Sequence, residues 1–92
     1  MREDLLQFIW KTKKVFSQQL LTTRGEPIEI LQGGEHNHYE GPDFFNARIR
    51  IADQLWAGNV EMHLKTSDWY VHGHETDANY ENVILHVVWE DD

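Results

Sequence analysis

Leu55-Trp56-Ala57-Gly58-Asn59-Val60-Glu61-Met62-His63-Leu64-Lys65 is the stretch on which the fold turns. Side chains of a β-strand point alternately to its two faces. Trp56, Val60, Met62 and Leu64 therefore share one face, and Asn59, Glu61, His63 and Lys65 the other. This predicts one long strand, apolar on one side and polar on the other. Before it, residues 44–51 predict a second strand, with Phe45, Ala47, Ile49 and Ile51 opposite Arg48 and Arg50. Ala52-Asp53-Gln54 reads as the hairpin turn between them.

Working outward, residues 27–32 predict a short strand, and residues 33–42 a loop punctuated by Gly33-Gly34 and Gly41-Pro42. Residues 3–20 predict a helix, with Leu5, Phe8, Ile9, Thr12, Val15, Phe16 and Leu20 on one face. Gln7, Lys11, Lys14 and Gln18 lie opposite, and a break near Val15 is an alternative. Thr22-Thr23-Arg24-Gly25 suits the helix end, because glycine takes a left-handed cap without strain. Beyond the long strand, Thr66-Ser67-Asp68 offers oxygen side chains to free backbone N–H groups, which starts a helix. Asp77 to Asn82 suits a further helical turn. Residues 83–89 are apolar and β-branched, as in a strand buried on both faces. The expected fold is α+β: an N-terminal helix, a three-stranded, largely antiparallel meander, a helical crossover and a final strand (αβββαβ).

The length of 92 residues suits a single domain, 1–92. A 40% apolar and 26% charged composition is that of a globular protein, not a disordered one. There is no cysteine, so disulfides and thiolate metal sites are excluded, and a cytoplasmic location is expected. No apolar run reaches membrane-spanning length. The net charge of −8 disfavours generic attraction to nucleic acid. That charge is uneven: no Lys or Arg follows Lys65, while seven acidic residues do. Such asymmetry is expected of the N-terminal part of a longer protein.

Three residues form the candidate metal site: Asp43, Glu61 and His63. The carboxylates and the imidazole offer lone pairs, and Glu61 and His63 project from one rigid strand. A hairpin at residues 52–54 carries Asp43 back to the level of Glu61 and His63. Polar residues at every second position also describe a plain solvent face, and Gly41-Pro42-Asp43 is common turn chemistry. His36 and His38, and His72 and His74, are spaced by two, which signals metal only when further ligands converge. His86, inside an apolar run, reads as a hydrogen-bonded core histidine. Residues 69–74 are placed to wall a pocket over the Glu61 face. Trp10, Trp56, Trp69 and Trp89 read as core anchors.

Two resemblances follow from these residues. Leu5-Leu6-Gln7-Phe8-Ile9-Trp10, Gly41-Pro42-Asp43-Phe44, Asn46-Ala47, Trp56-Ala57-Gly58-Asn59-Val60-Glu61 and Val83-Ile84-Leu85-His86-Val87-Val88 resemble the opening of an uncharacterised bacterial family, domain of unknown function 2851. Its members are longer than this chain, and no activity comes with the resemblance. The element order is also similar to the restriction-endonuclease-like core, in which an Asp opens the second strand and Glu-x-Lys lies on the third. That similarity implies Mg or Mn held by Asp43 and Glu61, with His63 standing where Lys is usual. Glu61, His63 and Lys65 would then be the catalytic residues, Lys65 one step further along the same face. The implied activity is a metal-dependent phosphodiesterase acting on nucleic acid. The alternative is a non-catalytic structural or protein-interaction domain of a longer bacterial protein. Its partners would be the remainder of its own chain, or a second copy paired through an edge strand.

Overall fold

A computed structural model of the protein describes residues 2–13 and 19–92. It shows a mixed α+β arrangement, a helix against one curled sheet. Helix α1 spans Glu3–Lys11. The strands are β1 (Leu20–Leu21), β2 (Pro27–Gln32), β3 (Glu35–His36), β4 (Phe44–Ile51), β5 (Gln54–Lys65) and β6 (Val83–Glu90). Between β5 and β6 come one short helix, α2 (Asp68–Val71), and two 3-10 turns, His74–Thr76 and Ala78–Tyr80. The main path of the sheet runs β1-β2-β4-β5-β6, and β3 pairs with β4 beside β2. All neighbours are antiparallel except β5 and β6, which run parallel. A parallel neighbour needs a crossover, and the segment carrying α2 and the two turns supplies it. The meander and crossover are thus seen, with two short strands added that the sequence did not announce.

The β4–β5 hairpin sets the frame. Ile51 pairs with Gln54, so Ala52 and Asp53 make the turn, and Ala52 takes a left-handed φ of 53°. Left-handed residues give such turns the twist of the strands they join. At the other end the register slips between Phe44 and Ala47, and Asn46 has φ 59°. This bulge puts Phe44, not Phe45, on the face with Ala47 and Ile49, all three fully buried.

Five expectations are corrected. The helix ends at Lys11, where Thr12 caps it and Lys13 turns left-handed at φ 62°; Lys14, Val15, Phe16 and Gln18 lie outside the described residues. Its buried stripe is Leu6 and Trp10, while Leu5 and Phe8 are exposed. The reason is that Leu6 and Trp10, spaced by four, are the pair that meets Phe44, Ala47, Val60 and Met62 in the core. Leu20 belongs to β1, and residues 22–25 turn the β1–β2 hairpin, Thr22 N–H donating to the Glu26 carbonyl at 2.8 Å. Strand β6 is half-buried instead of covered on both faces, because it stands last in the sheet. Of the four tryptophans only Trp10 is a buried anchor; Trp56 and Trp89 are exposed. Among the described residues, no helix is long and apolar enough to cross a membrane.

Candidate metal centre

Strand β5 is buried on both faces at its centre. Val60 and Met62 are 0% and 1% exposed, and Glu61 and His63 are 4% and 2% exposed. The alternating polar face is therefore no solvent face. The crossover between β5 and β6 folds back over it. Helix α2 packs on β5, and Gly73, with φ 70°, makes the left-handed turn that brings His74 inward. His74 ends 8% exposed, while His72 stays exposed at the rim.

Four side chains converge there. His74 Nε2 lies 2.8 Å from Glu61 Oε2, and His63 Nε2 lies 3.4 Å from the same oxygen. His63 Nε2 is 3.1 Å from His72 Nδ1. One ligand atom each from His63, His72 and His74 falls within 4.8 Å of the other two. Ligand atoms bound to one zinc at about 2.0–2.2 Å sit roughly 2.9–3.5 Å apart, depending on coordination number. The three short separations, 2.8, 3.1 and 3.4 Å, are of that order. Moreover, His74 Nε2 has no hydrogen-bond partner despite its 2.8 Å approach to Glu61, so the two groups are not aligned on each other. Atoms that close but misaligned fit a shared point between them better than a bond from one to the other.

Surrounding contacts hold the rings. His63 Nδ1 is 2.8 Å from His86 Nε2, which leaves Nε2 as the face toward Glu61. Such a second contact selects the tautomer that a metal ligand needs. Tyr80 stacks on His74 at 3.7 Å, and Trp69 sits edge-on to it at 5.3 Å. Asp43 is fixed from two sides, accepting the Met62 N–H at 2.8 Å and the Gln7 side-chain N–H at 2.7 Å.

The electrostatics follow from burial. Burial, reinforced by the Asp43 carboxyl against it, pushes Glu61 up to about 9. Its Oε1 is buried with no donor. Two carboxyls in contact are relieved only by a proton or a cation between them. Burial, then His86, His72 and His74, pushes His63 down to about 4. Burial also lowers His74, with His72 adding to it, and lowers His86, with His74 adding to it. Neutral imidazoles keep their lone pairs for a metal ion. Burial, then Glu61 and Asp43, raises Tyr80 to about 12.

Of the residues expected from sequence, the structure brings Asp43, Glu61 and His63 together. Lys65 is not with them. It is exposed at the end of β5, and its backbone N–H donates to Asp68 at 3.1 Å. Lys65 is the last residue of β5, next to the start of α2 and beyond the buried centre of the strand. His86 is hydrogen-bonded, as expected of a core histidine, but to His63. His36 and His38 stand apart, their rings 4.2 Å from each other and His36 stacked on Phe44. Gln7, His72, His74 and Tyr80 are additions. For His72 and His74 the signals are the His-Gly-His spelling and the reading of residues 69–74 as a wall over the Glu61 face.

No curated protein matches the chain, and no solved structure does. The restriction-endonuclease-like resemblance gains no support from them. A family model described as "protein of unknown function (DUF2851)" matches residues 3–92. The match covers nearly the whole chain, helix α1 and all six strands included, and the chain belongs to that family.

Proposed function

We propose that this domain holds one divalent transition-metal ion on His63, His72, His74 and Glu61, and uses it as a Lewis acid for hydrolysis. The observation that carries this reading is the convergence of three imidazoles, two of them within 3.4 Å of the buried Glu61 Oε2. Imidazole-rich sets favour zinc and its neighbours over magnesium and manganese, which prefer oxygen. The exposed position of His72 leaves the ion reachable from solvent, as a catalytic ion must be. Asp43 then stands beside Glu61 as a second carboxylate for proton transfer.

A second reading has one observation in its favour. The contact between the Asp43 and Glu61 carboxyls suits Mg or Mn, the pair implied by a phosphodiesterase. Native mass spectrometry of the purified domain with Zn²⁺, Mg²⁺ and Mn²⁺ separates the two. One retained zinc per chain supports the first reading. Retention of magnesium or manganese without zinc supports the second. No retained ion leaves a non-catalytic structural or interaction domain, for which the outer edge of β6 supplies a surface that another chain can pair with.

A further inference from the structure

Strand β6 is the last on the path of the sheet and pairs with β5 alone. The pairing tells which of its backbone groups are free. The Glu90 carbonyl accepts the Thr66 N–H at 3.1 Å, so Glu90 faces β5. The N–H and C=O of one strand residue point to the same side, and successive residues alternate. His86 and Val88 therefore face β5 with Glu90, while Leu85, Val87 and Trp89 turn theirs outward. Among the described residues no protein group bonds to these outward N–H and C=O groups. Edge strands are commonly guarded by a proline, a lysine, a bulge or a covering helix. Residues 85–89 hold no Pro, Lys or Arg, and the register slip lies before Leu85.

Both faces of β6 border open space. On the core side, Leu85 and Val87 line an apolar cavity with Trp10, Leu20 and Leu21. On the other side, a groove of about 340 Å³ lies between Val83 to His86 and the crossover residues Thr66, Trp69 and Tyr70. Tyr70 is 68% exposed.

Charge selects what pairs there. Glu90, Asp91 and Asp92 end the strand, and Lys65 lies in register with Glu90. Three carboxylates against one ammonium leave two negative charges. The donors to Asp91 and Asp92 are the neutral Thr66 and Ser67, which offset nothing. Asp68, which accepts the Lys65 N–H, adds a carboxylate on the side of the groove. On the core side, Arg24 follows Thr23 of the cavity wall, and Glu26, bonded to the Thr22 hydroxyl, balances it. A second copy of the chain would bring the same net charge of −8, and like charges repel.

We propose that the free edge of β6 takes an extended, basic segment of another polypeptide as an added strand. Its apolar residues lie toward Leu85 and Val87, and its Lys or Arg residues toward Tyr70 and Asp68. Backbone bonds to Leu85, Val87 and Trp89 supply affinity, and the alternating side chains supply the choice of partner. A cation over the exposed Tyr70 ring adds to both. None of these groups is a ligand of the proposed metal ion, so edge pairing and metal binding stand or fall separately.

A blocked peptide of the length of β6, lysine alternating with valine, tests this on the whole chain. One control is its twin with glutamate for lysine. The other is the fully N-methylated lysine peptide, which keeps the charge and cannot donate backbone hydrogen bonds. Fluorescence anisotropy is expected to show the lysine peptide binding at least about tenfold more tightly than either control. Amide exchange followed by NMR is expected to slow at Leu85, Val87 and Trp89 and to stay unchanged at Val88. Trp89→Lys, at an exposed position, is expected to weaken binding severalfold with the circular dichroism unchanged. Equal binding of the N-methylated peptide would mean plain attraction to a negative protein and overturns the inference. So does equal or tighter binding of the glutamate twin, unchanged exchange at the three amides, or no binding of any peptide. Sedimentation equilibrium of the chain alone is expected to give a monomer; a dimer that protects the same amides gives the edge to a second copy and overturns the inference too.

Discussion

On one face of β5, Val60 and Met62 pack against Leu6, Trp10, Phe44 and Ala47. On the other, Glu61 and His63 lie under His74 and beside His72 and His86. The two faces are buried to the same degree. The first is stabilised by removal of apolar surface from water, which is nondirectional and tolerates small rearrangements. The second buries ionisable groups, which is unfavourable unless each finds a partner. It has partners for most atoms but none for Glu61 Oε1 or for either nitrogen of His74. A domain this small has little stability to spare, so an arrangement of this kind points to a task other than holding the fold.

Substitutions break or sharpen this contrast. The largest effect belongs to the apolar face. Phe44→Ala is expected to destabilise by about 3–5 kcal/mol, the range for deleting a buried aromatic, measured by denaturant unfolding. Loss of under 1 kcal/mol would show that the face is not tightly packed.

The polar face should answer in metal affinity instead. His86 touches His63 and not the other ligands of the proposed ion. His86→Ala is expected to weaken zinc binding roughly 10–100-fold, the usual effect of removing a group that orients a ligand. Calorimetric titration gives the number, and an unchanged affinity would remove His86 from the account.

A smaller contrast lies in pH. Glu61 is raised from an ordinary 4.5 to about 9, so the folded state binds its proton more tightly than the unfolded chain does. Its contribution is complete below pH 4.5 and is lost as pH rises through 9. His63 is lowered from 6.5 to about 4, so the folded state is penalised as pH falls between those values. The two oppose each other below pH 6.5, and above it only Glu61 acts. The metal-free domain should therefore lose melting temperature from pH 6.5 to 9. Glu61→Gln should flatten that decline, and a parallel decline in the variant would contradict the assignment. The smallest effect is expected at Lys65, exposed and outside the site. Lys65→Ala should change stability by no more than about 0.5 kcal/mol and leave zinc affinity unchanged.

The sequence carried the frame further than it carried the site. Period-two alternation in residues 55–65 and the hairpin at residues 52–54 placed Asp43 level with Glu61 and His63, because register follows from turn length. What that alternation cannot reveal is what covers the polar face. Residues 69–74 read as a wall over this face, but the helical pieces of residues 66–82 are too short for a periodic signal that fixes which side chains turn inward. The His72–His74 pair was visible as spelling, but Gly73 decides which of the two rings enters. Gln7 was assigned to the wrong side because the helix stripe was centred on Leu5 and Phe8. The bulge at Asn46 was equally hidden, since nothing local demands a left-handed asparagine there.

The central claim is that the polar face of β5 is a metal centre, and calorimetric titration of zinc into the domain and its His72→Ala variant tests it most directly. His72 is exposed, so its loss should leave the fold intact while removing one ligand. The account predicts one saturable zinc site in the parent and at least about tenfold weaker binding in the variant. No saturable binding in the parent, or equal affinity in both proteins, would contradict it.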